Sequence, residues 1–329
     1  MRTFGRASTP ASGRTVLVTG ASGFIGRTLT HRLIERGHGV IALTRDTLQG
    51  KRALGVGPLV VGDLREIDGN ARIDAVVNLA GAPVFGKPWT RQRRHELVMS
   101  RVGTTRDLVD WMARRAGRPE VLVSASAIGW YGAGGEAPFD EASPVGGDFR
   151  AALCNAWERE AASAEMLGLR VCRLRFGLVL GRDGGLLAGL KPSYLLGLGA
   201  RLGDGQQWLS WIHLEDAVEL ILRGLDDPLF RGPLNATAPL PVRQGAFAAA
   251  LGQALHRPVM LRIPAGLLRA GMGEMSCLLL DSQRVLPRRA QEIGFVFRFH
   301  DLETALADLY APQGARHGAT VRLLDNLLT

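Results

Sequence analysis

A glycine-rich stretch near the N-terminus is the first part of the sequence whose residue types and spacing point to chemistry. The residues GASGFIG occupy positions 20–26, with glycines at 20, 23 and 26. In a phosphate-binding loop, Gly20 would permit a tight turn, Gly23 would let the backbone approach a pyrophosphate and Gly26 would let a helix pack closely on a strand. A helix that begins there directs free N–H groups at the phosphates. The pattern predicts a dinucleotide site, against the alternative of a glycine-rich turn without a ligand. The other predicted contacts in this loop are Ser22, Phe24 and Ile25.

The residues after the second predicted strand indicate which dinucleotide is bound. NAD sites place an acidic residue about 20 residues beyond the glycines, where it accepts from the ribose hydroxyls. This chain has Thr44 and Arg45 there, and a guanidinium pairs well with a 2′-phosphate. NADP(H) is therefore the expected cofactor, unless Arg45 is merely solvated and Asp46 turns inward. Asp63 is placed to accept from the adenine amino group, and Leu64 to cover the ring.

Alternating strands and helices must position these residues. The segment after the glycine loop has Ile25, Leu29 and Leu33 four apart, which predicts one face of a helix. Apolar, β-branched runs predict strands at 14–20, 39–45, 57–64, 73–81, 120–126 and 170–181. Helices are predicted at 89–116, 149–167, 214–225 and 242–256. The alternation predicts an α/β, Rossmann-type doubly wound parallel sheet, with a smaller, mostly helical C-terminal substrate lobe.

The predicted domain boundaries follow from where this regularity ends. Residues 14–181 form the predicted NADP-binding domain, to which 211–237 return. Residues 182–210 and 238–310 form the predicted substrate lobe, and 311–329 a tail.

Composition restricts the class of protein. Hydrophobic residues make up 46% of the 329 residues and charged residues 22%, which is ordinary for a folded soluble chain. The first dozen residues have no apolar core typical of a signal peptide, and no apolar run reaches the length of a membrane span. We expect a cytoplasmic protein that does not contact a membrane. Three cysteines without a C-x-x-C pair suggest neither a metal site nor disulfides.

The net charge of +9 raises the possibility of a nucleic-acid partner. The basic residues are almost all arginines, and they are scattered rather than gathered into one run. A coding bias toward arginine explains the charge equally well. We therefore expect no nucleic-acid partner.

Several ordered motifs resemble one superfamily. Besides GASGFIG they are VVNLAG at 76–81, SASAIGWYG at 124–132, RFGLVLG at 175–181 and WIHLEDAV at 211–218. They are similar to the extended short-chain dehydrogenases/reductases, the NAD(P)-dependent epimerase/dehydratase superfamily. GKPWT at 86–90, SRVGTTRDLV at 100–109 and GDGQQWLSWIH at 203–213 resemble its atypical, epimerase-like branch, of which some members carry a cell-division label.

The resemblance implies further cofactor contacts. Leu79, Ala80 and Gly81 would line the ribose and pyrophosphate, and Arg101 would reach the cofactor from the following helix, with Glu96 as a second candidate. Residues 176–179, including Phe176 and Leu178, would border the nicotinamide.

The superfamily's catalytic pair, Tyr-x-x-x-Lys, is missing. Four-residue spacing puts both side chains on one helical face, where the lysine lowers the pKa of the tyrosine, which exchanges a proton with the substrate. Tyr131, Tyr194 and Tyr310 are not followed by a lysine four residues later. Alignment from SASAIGWYG instead puts Cys154 at the tyrosine position and Glu158 at the lysine position. A carboxylate beside a thiol raises the pKa of the thiol, so the pair is not equivalent.

Other residues could take over the chemistry. Ser126 stands at the family's hydroxyl-donor position and is expected to orient the substrate oxygen, with Tyr131 as the nearby phenol. The alternatives are packing of Tyr131 with Trp130, a half-buried structural Cys154, and Glu158 as the ion-pair partner of an arginine. His213 and Asp216 could form an acid/base pair, but a helix start explains them better. Trp89, Trp208 and Trp211 could wall a substrate cleft or be core aromatics.

Three functions remain. The first is an NADP(H)-dependent oxidoreductase or epimerase-like enzyme that acts on a small oxygenated or nucleotide-sugar-like molecule. The second is a non-catalytic NADPH sensor or partner module, since the binding loop is kept and the catalytic pair is lost. The third is a nucleic-acid binder, which would show a steep salt dependence. The resemblance also leaves a homodimer possible.

Overall fold

The structure, a computed structural model, describes residues 13–311. The predicted tail, apart from Ala311, lies outside the described residues. The strands are β1 (Thr15–Thr19), β2 (Gly39–Leu43), β3 (Leu59–Val61), β4 (Ala75–Asn78), β5 (Val121–Ala127), β6 (Arg170–Phe176), β7 (Leu178–Gly181), β8 (Gly199–Leu202), β9 (Trp208–Leu209), β10 (Trp211–His213), β11 (Gly232–Ala236), β12 (Val242–Arg243) and β13 (Val259–Ile263).

The helices connect and cover these strands. They are α1 (Phe24–Glu35), α2 (Thr47–Leu54), α3 (Arg91–Val98), α4 (Thr104–Ala113), α5 (Phe149–Ala162), α6 (Gly185–Leu195), α7 (Leu214–Asp226), α8 (Gln244–Ala254), α9 (Ala265–Met272), α10 (Cys277–Leu280), α11 (Arg288–Glu292) and α12 (Leu302–Tyr310).

Seven parallel strands form the central sheet in the order β11-β6-β5-β4-β1-β2-β3. Strands β1 to β6 have the doubly wound order 3-2-1-4-5-6, so the predicted Rossmann-type α/β fold is confirmed. The chain reverses direction across the sheet between β1 and β4. Ligands of such sheets bind beyond the carboxyl ends of the strands at this reversal, which is where the glycine loop lies.

Helices cover both faces of the sheet. On one face Leu29 of α1 and Ile221 of α7 pack against Val18 of β1. On the other face Leu108 of α4 and Ala161 of α5 belong to a second core cluster with strand residues of β1, β4 and β5. Strand residues therefore point into apolar cores on both sides, which explains why the strands read as continuous apolar runs.

Two predicted elements are interrupted. The predicted strand 170–181 divides at Gly177, and β7 pairs with β10 outside the central sheet. A Cβ at Gly177 would lie 2.5 Å from the carbonyl oxygen of Ser210, so only glycine allows this approach. The predicted helix 89–116 contains a π-helical turn at Met99–Gly103. The hydroxyl of Thr105, at the start of α4, donates to the carbonyl of Arg101 in this turn at 2.7 Å. Single π-helical turns are frequent at functional sites.

A smaller core lies beside the sheet. It joins apolar residues of α6, α8 and α12, among them Leu187, Phe247 and Leu306. Helix α6 was not anticipated, because Pro192 and two glycines weaken its helical pattern. The predicted domain boundaries remain a prediction, and Phe295 and Phe297 pack in a cluster of the central sheet.

Two structural features are absent from residues 13–311. No helix there combines the length and apolarity needed to cross a lipid bilayer. No three His, Cys, Asp or Glu side chains in the same range gather where they could hold a metal ion.

Candidate active site

A groove of about 630 Å³ lies beyond the carboxyl ends of β1 to β4. Its walls are the loops that follow these strands, together with residues of α4. Ten of the predicted cofactor residues line it: Gly20, Ser22, Gly23, Thr44, Arg45, Asp63, Leu64, Leu79, Ala80 and Gly81. The fold therefore brings most of the predicted contacts to one place.

The glycine loop has the shape of a phosphate cradle. Gly20 adopts φ +66°, and a Cβ there would lie 2.7 Å from the carbonyl oxygen of Leu79. A Cβ at Gly26 would lie 2.2 Å from the carbonyl oxygen of Gly20. Helix α1 begins immediately after Gly23 without a side-chain cap, so its first N–H groups remain available to an anion. These residues fit a pyrophosphate.

Arg45 and Asp46 are held in different ways at the end of β2. The carboxylate of Asp46 caps α2 by accepting from the backbone N–H of Gln49 at 2.9 Å. Arg45 is exposed, lines the groove and makes no ion pair within residues 13–311. The acidic residue that could have served a ribose hydroxyl is thus engaged in helix capping, and the guanidinium is the group offered to a ligand.

Asp63 is engaged with its neighbour Arg65. Its carboxylate accepts from Arg65 Nε at 2.9 Å and Nη2 at 2.7 Å, and these hydrogen bonds lower the pKa of Asp63 to about 2. Arg65 also lines the groove and was not anticipated. The Asp63–Arg65 pair forms the far wall of the groove, next to Leu64.

Four predicted cofactor residues line neither this groove nor the second cavity described below. Ile25 packs against the core, and Gly26 is buried beneath the loop. The ring of Phe24 lies against the backbone near Gly184. Glu96 pairs with Arg93 at 2.5 Å, and this contact is the main reason why its pKa is lowered. Cofactor binding by these residues remains a prediction.

Arg101 lies between the groove and a second cavity. Its Nη2 donates to the carbonyl of Ala82 at 2.9 Å, its guanidinium contacts Gly81, and it lies 5.4 Å from the ring of Trp157. Burial lowers its pKa, and no carboxylate of residues 13–311 pairs with it. A buried cation without a carboxylate partner is suited to receive an anionic group.

The second cavity, of about 310 Å³, opens at the carboxyl ends of β5 and β6. Ser126, Cys154, Arg101, Phe176 and Leu178 line it. Trp89 and Trp208 also contribute to its wall, whereas Trp211 is fully buried and packs in the smaller core. The cavity thus joins two of the four predicted catalytic residues to three predicted cofactor residues.

A buried network holds Ser126. Its hydroxyl donates to Glu158 Oε1 at 2.7 Å. Arg175 donates to both oxygens of the same carboxylate, from Nε at 2.7 Å and from Nη2 at 3.0 Å. Glu158 is 3% exposed and Arg175 is 2% exposed. Because the Ser126 hydroxyl donates its hydrogen bond to a carboxylate, its oxygen lone pairs are available to a ligand in the cavity.

Tyr131 belongs to the same network but does not line the cavity. Its hydroxyl donates to Asn235 Oδ1 at 2.7 Å and accepts from Arg175 Nη1 at 3.0 Å. The ring stacks on Phe139 with centroids 5.1 Å apart. Burial raises the pKa of Tyr131 to about 12. These contacts favour packing over proton transfer, and a catalytic role for Tyr131 remains a prediction.

Cys154 presents a neutral thiol to the cavity. Burial, and then the nearby Glu158 carboxylate, raise the pKa of Cys154 to about 12. A thiol with this pKa stays protonated at neutral pH and is a poor nucleophile.

His213 and Asp216 serve the fold in this structure. His213 Nδ1 accepts from the backbone N–H of Glu215 at the start of α7. Asp216 accepts from the backbone N–H groups of Arg298 and Phe299 at 2.8 and 3.0 Å. Neither residue lines the described cavities.

Comparison with known proteins agrees with this geometry. The model of the NAD dependent epimerase/dehydratase family matches residues 16–232. The chain belongs to this family. Residues 263–309 match a domain of unknown function, DUF1731.

Relatives of this family cover almost the whole chain. An Arabidopsis thaliana protein named "Epimerase family protein SDR39U1 homolog, chloroplastic" is 41% identical over 91% of this chain and 88% of its own length. The crystal structure of human epimerase family protein SDR39U1 with NADPH has a TM-score of 0.81 at 31% identity, covering 90% of this chain and 99% of that one. A nucleoside-diphosphate sugar epimerase from Corynebacterium glutamicum has a TM-score of 0.71 at 30% identity, covering 94% of this chain and 62% of that one.

Arg175 is the residue of the Ser126 network whose sequence signal could have been noticed but was missed. It lies on β6 in the run RVCRLRF, within a strand expected to be buried on both faces. An arginine in such a position requires a buried partner, which was the available indication. Asn235, contributed by β11 from far along the chain, gave no comparable indication.

Proposed function

We propose that the chain binds NADP(H) in preference to NAD(H). The main support is the arrangement of two residues at the end of β2: Asp46 caps α2, and Arg45 lines the groove. A guanidinium there favours a 2′-phosphate, and the ribose of NAD would lack its usual carboxylate partner. The human relative crystallised with NADPH supports the same choice.

We further propose that the bound dinucleotide serves an oxidoreductase or epimerase reaction on a small oxygenated substrate. NADP(H), when bound, supplies or accepts the hydride. The chain's own contribution is centred on Ser126, whose proton is held by Glu158 at 2.7 Å. The Ser126 oxygen is therefore positioned to accept from a substrate hydroxyl in the cavity. Arg175 fixes the Glu158 carboxylate beside the serine through an ion pair at 2.7 Å.

The second candidate is an NADPH-binding protein without hydride chemistry. It is favoured by the residues at the Tyr-x-x-x-Lys positions. Cys154 has a pKa of about 12, and Glu158 is engaged by Arg175 and Ser126. Neither residue offers a phenolate or an ammonium to substrate and ribose.

Deuterium transfer tests the two candidates directly. The protein is incubated with [4-²H]NADPH of either face and a panel of aldehydes and ketones, or with NADP+ and a panel of C-deuterated alcohols and nucleotide sugars, and the organic products and the dinucleotide are examined by mass spectrometry. We expect label in a product, a loss of at least about tenfold in rate with Ser126→Ala, and unchanged NADPH affinity. Ser163→Ala, whose hydroxyl bonds Glu160 at the end of α5, is the matched control. Tight NADPH binding without label in any product would favour the second candidate.

We also propose a cytoplasmic location, a small-molecule partner and a homodimer, without nucleic-acid or membrane partners. Many arginines are neutralised locally, as Arg32 is by Glu215 and Arg36 by Glu219. Local neutralisation leaves little continuous positive surface for a phosphate backbone. Sedimentation velocity measures the oligomeric state, and DNA and RNA titrations at low salt test the absence of nucleic-acid binding.

A further inference from the structure

We propose that the substrate is a carbonyl compound or alcohol with an extended apolar body, and not a nucleoside-diphosphate sugar. This inference rests on the proposed function, because it names the substrate class for the same site. It follows from a second, apolar chamber that continues the cavity at Ser126. The two spaces are called the head chamber, at Ser126, and the tail chamber, described next.

The tail chamber has a volume of about 180 Å³ and adjoins the head chamber. The two share four wall residues, Phe85, Leu178, Leu209 and Leu278. The four common wall residues place the two chambers side by side, and the proposed ligand spans both. A ligand with its oxygen at Ser126 therefore has room to extend between α6 and α8.

The tail chamber is built from apolar side chains. Leu186 and Leu190 of α6 and Phe247 of α8 form much of its wall. None of the described residues that line it is charged. Its polar side chains include Ser193, which donates to the carbonyl of Leu190 at 2.8 Å, and Gln244, which accepts from the N–H of Leu202 at 2.9 Å. This environment favours methylene groups or a ring over phosphate or ribose.

The polar side chains of the head chamber are largely engaged within the protein. The guanidinium of Arg150 donates to the carboxylates of Asp148 and Asp281, which neutralise its charge in the chamber wall. Gln283 donates to the carbonyls of Ile128 and Gly132 at 3.0 and 2.7 Å. The indole N–H of Trp208 donates to Glu136. A ligand rich in hydroxyls or charges would lose its hydration without finding free partners.

Arg101 does not change this conclusion. It is the charged residue of the head chamber without a carboxylate partner among the described residues, and its guanidinium contacts Gly81, a residue of the cofactor groove. Its position serves the dinucleotide side of the cavity. A diphosphate in the tail chamber would be remote from it and would meet only leucines, phenylalanine and other uncharged groups.

Displacement of a fluorescent probe tests the inference without requiring turnover. The probe is N-phenyl-1-naphthylamine, and the competitors are 1-alkanols from hexanol to dodecanol and UDP-glucose, each with and without NADPH. We expect alkanol affinity to rise roughly fourfold for each methylene until the chambers are filled, and UDP-glucose to leave the probe bound. Displacement by UDP-glucose at lower concentration than by the alkanols would overturn the proposal.

A pair of variants separates the tail chamber from nonspecific apolar surface. Leu190→Phe places a larger side chain in the tail chamber and so reduces its free volume. Leu196→Phe changes a leucine that is 75% exposed on the same lobe. We expect Leu190→Phe to end the affinity gain at a shorter alkanol and weaken dodecanol by about tenfold or more, with Leu196→Phe like the parent. Equal alkanol profiles in the two variants would overturn the proposal.

Thermal melting and NADPH titration of both variants establish that they fold and bind cofactor. NADPH titration also tests the cofactor binding required by the proposed function, independently of the alkanol series. Failure of NADPH binding with an intact alkanol series contradicts the proposed function alone. A flat alkanol series with intact NADPH binding contradicts the substrate class alone.

Discussion

Glu158 and Arg175 form a two-point ion pair in the interior, with Nε–Oε1 at 2.7 Å and Nη2–Oε2 at 3.0 Å. Glu158 stands where the superfamily resemblance places a lysine, and Arg175 reaches it from the neighbouring strand β6. The pair also joins Ser126 to Tyr131, because Glu158 accepts from the serine and Arg175 donates to the phenol. A cavity-lining residue, Ser126, and a packed residue, Tyr131, thus share one network.

Removing one partner of this pair should destabilise the fold strongly. Arg175→Met leaves the Glu158 carboxylate buried without a counter-charge, so we expect a loss of about 3–5 kcal/mol in the free energy of unfolding. Adding Glu158→Gln should restore part of it. Urea unfolding measures both. Arg173→Met, on the same strand, removes a long ion pair to Glu165 at 4.0 Å, whose two side chains are 20% and 53% exposed, and should cost less than about 1 kcal/mol. Equal losses in the free energy of unfolding for Arg175→Met and Arg173→Met would contradict a special role for the buried Glu158–Arg175 pair.

Replacing Arg45 should change the dinucleotide preference. Arg45→Ala removes the guanidinium offered to the 2′-phosphate, so NADPH should bind about ten- to a hundredfold more weakly, with NADH little changed. Calorimetry of both dinucleotides gives the ratio. Arg52→Ala, on the exposed side of α2, is the control and should leave the ratio unaltered. A parallel loss for NADPH and NADH would show that Arg45 does not read the phosphate.

A methyl group at position 26 should damage the glycine loop. In Gly26→Ala the new Cβ would lie 2.2 Å from the Gly20 carbonyl oxygen, so the loop or α1 must shift. We expect NADPH affinity to fall by about tenfold or more, together with a lower melting temperature. Gly189→Ala, on α6 with open space at its Cβ, should melt at or above the parent temperature because alanine favours the helix. Unchanged NADPH binding in Gly26→Ala would refute the role of this close contact.

Alkaline pH should destabilise the fold through two buried thiols. Burial raises the pKa of both Cys154 and Cys172 to about 12, against about 8.5 in an unfolded chain. Each thiol therefore contributes stability that is complete below the unfolded pKa and is lost as the pH rises toward 12. We expect urea midpoints to fall less between pH 8 and 10.5 in Cys154→Ala/Cys172→Ala than in the parent. An identical fall of the urea midpoint with pH in parent and variant would mean that these thiols do not cause the loss of stability at alkaline pH.

The sequence predicted what depends on local pattern. Strands β1, β2, β4 and β5 were placed to within a few residues, because apolar β-branched runs next to glycines are typical of buried parallel strands. The cofactor loop followed from the same pattern with its glycine spacing. Ser126 was singled out because the family resemblance places a hydroxyl donor at the end of the fifth strand, and β5 ends one residue after it.

What escaped prediction depends on contacts between distant segments. The break at Gly177 is imposed by the backbone of Ser210, and the partner of Tyr131 is Asn235, 104 residues away. Arg175 could have been noticed as a charge in a buried strand, but its partner could not be named from its neighbours in the chain. The tail chamber likewise forms only when α6 and α8 come together.

The short outer strand β3 has a consequence for handling the protein in solution. Among residues 13–311, the outer strand at that border of the sheet is limited to Leu59–Val61. Three residues offer too few hydrogen-bonding groups for a strand from another molecule to add on and start a fibril. The border where β3 lies should therefore resist amyloid-like growth even in concentrated samples.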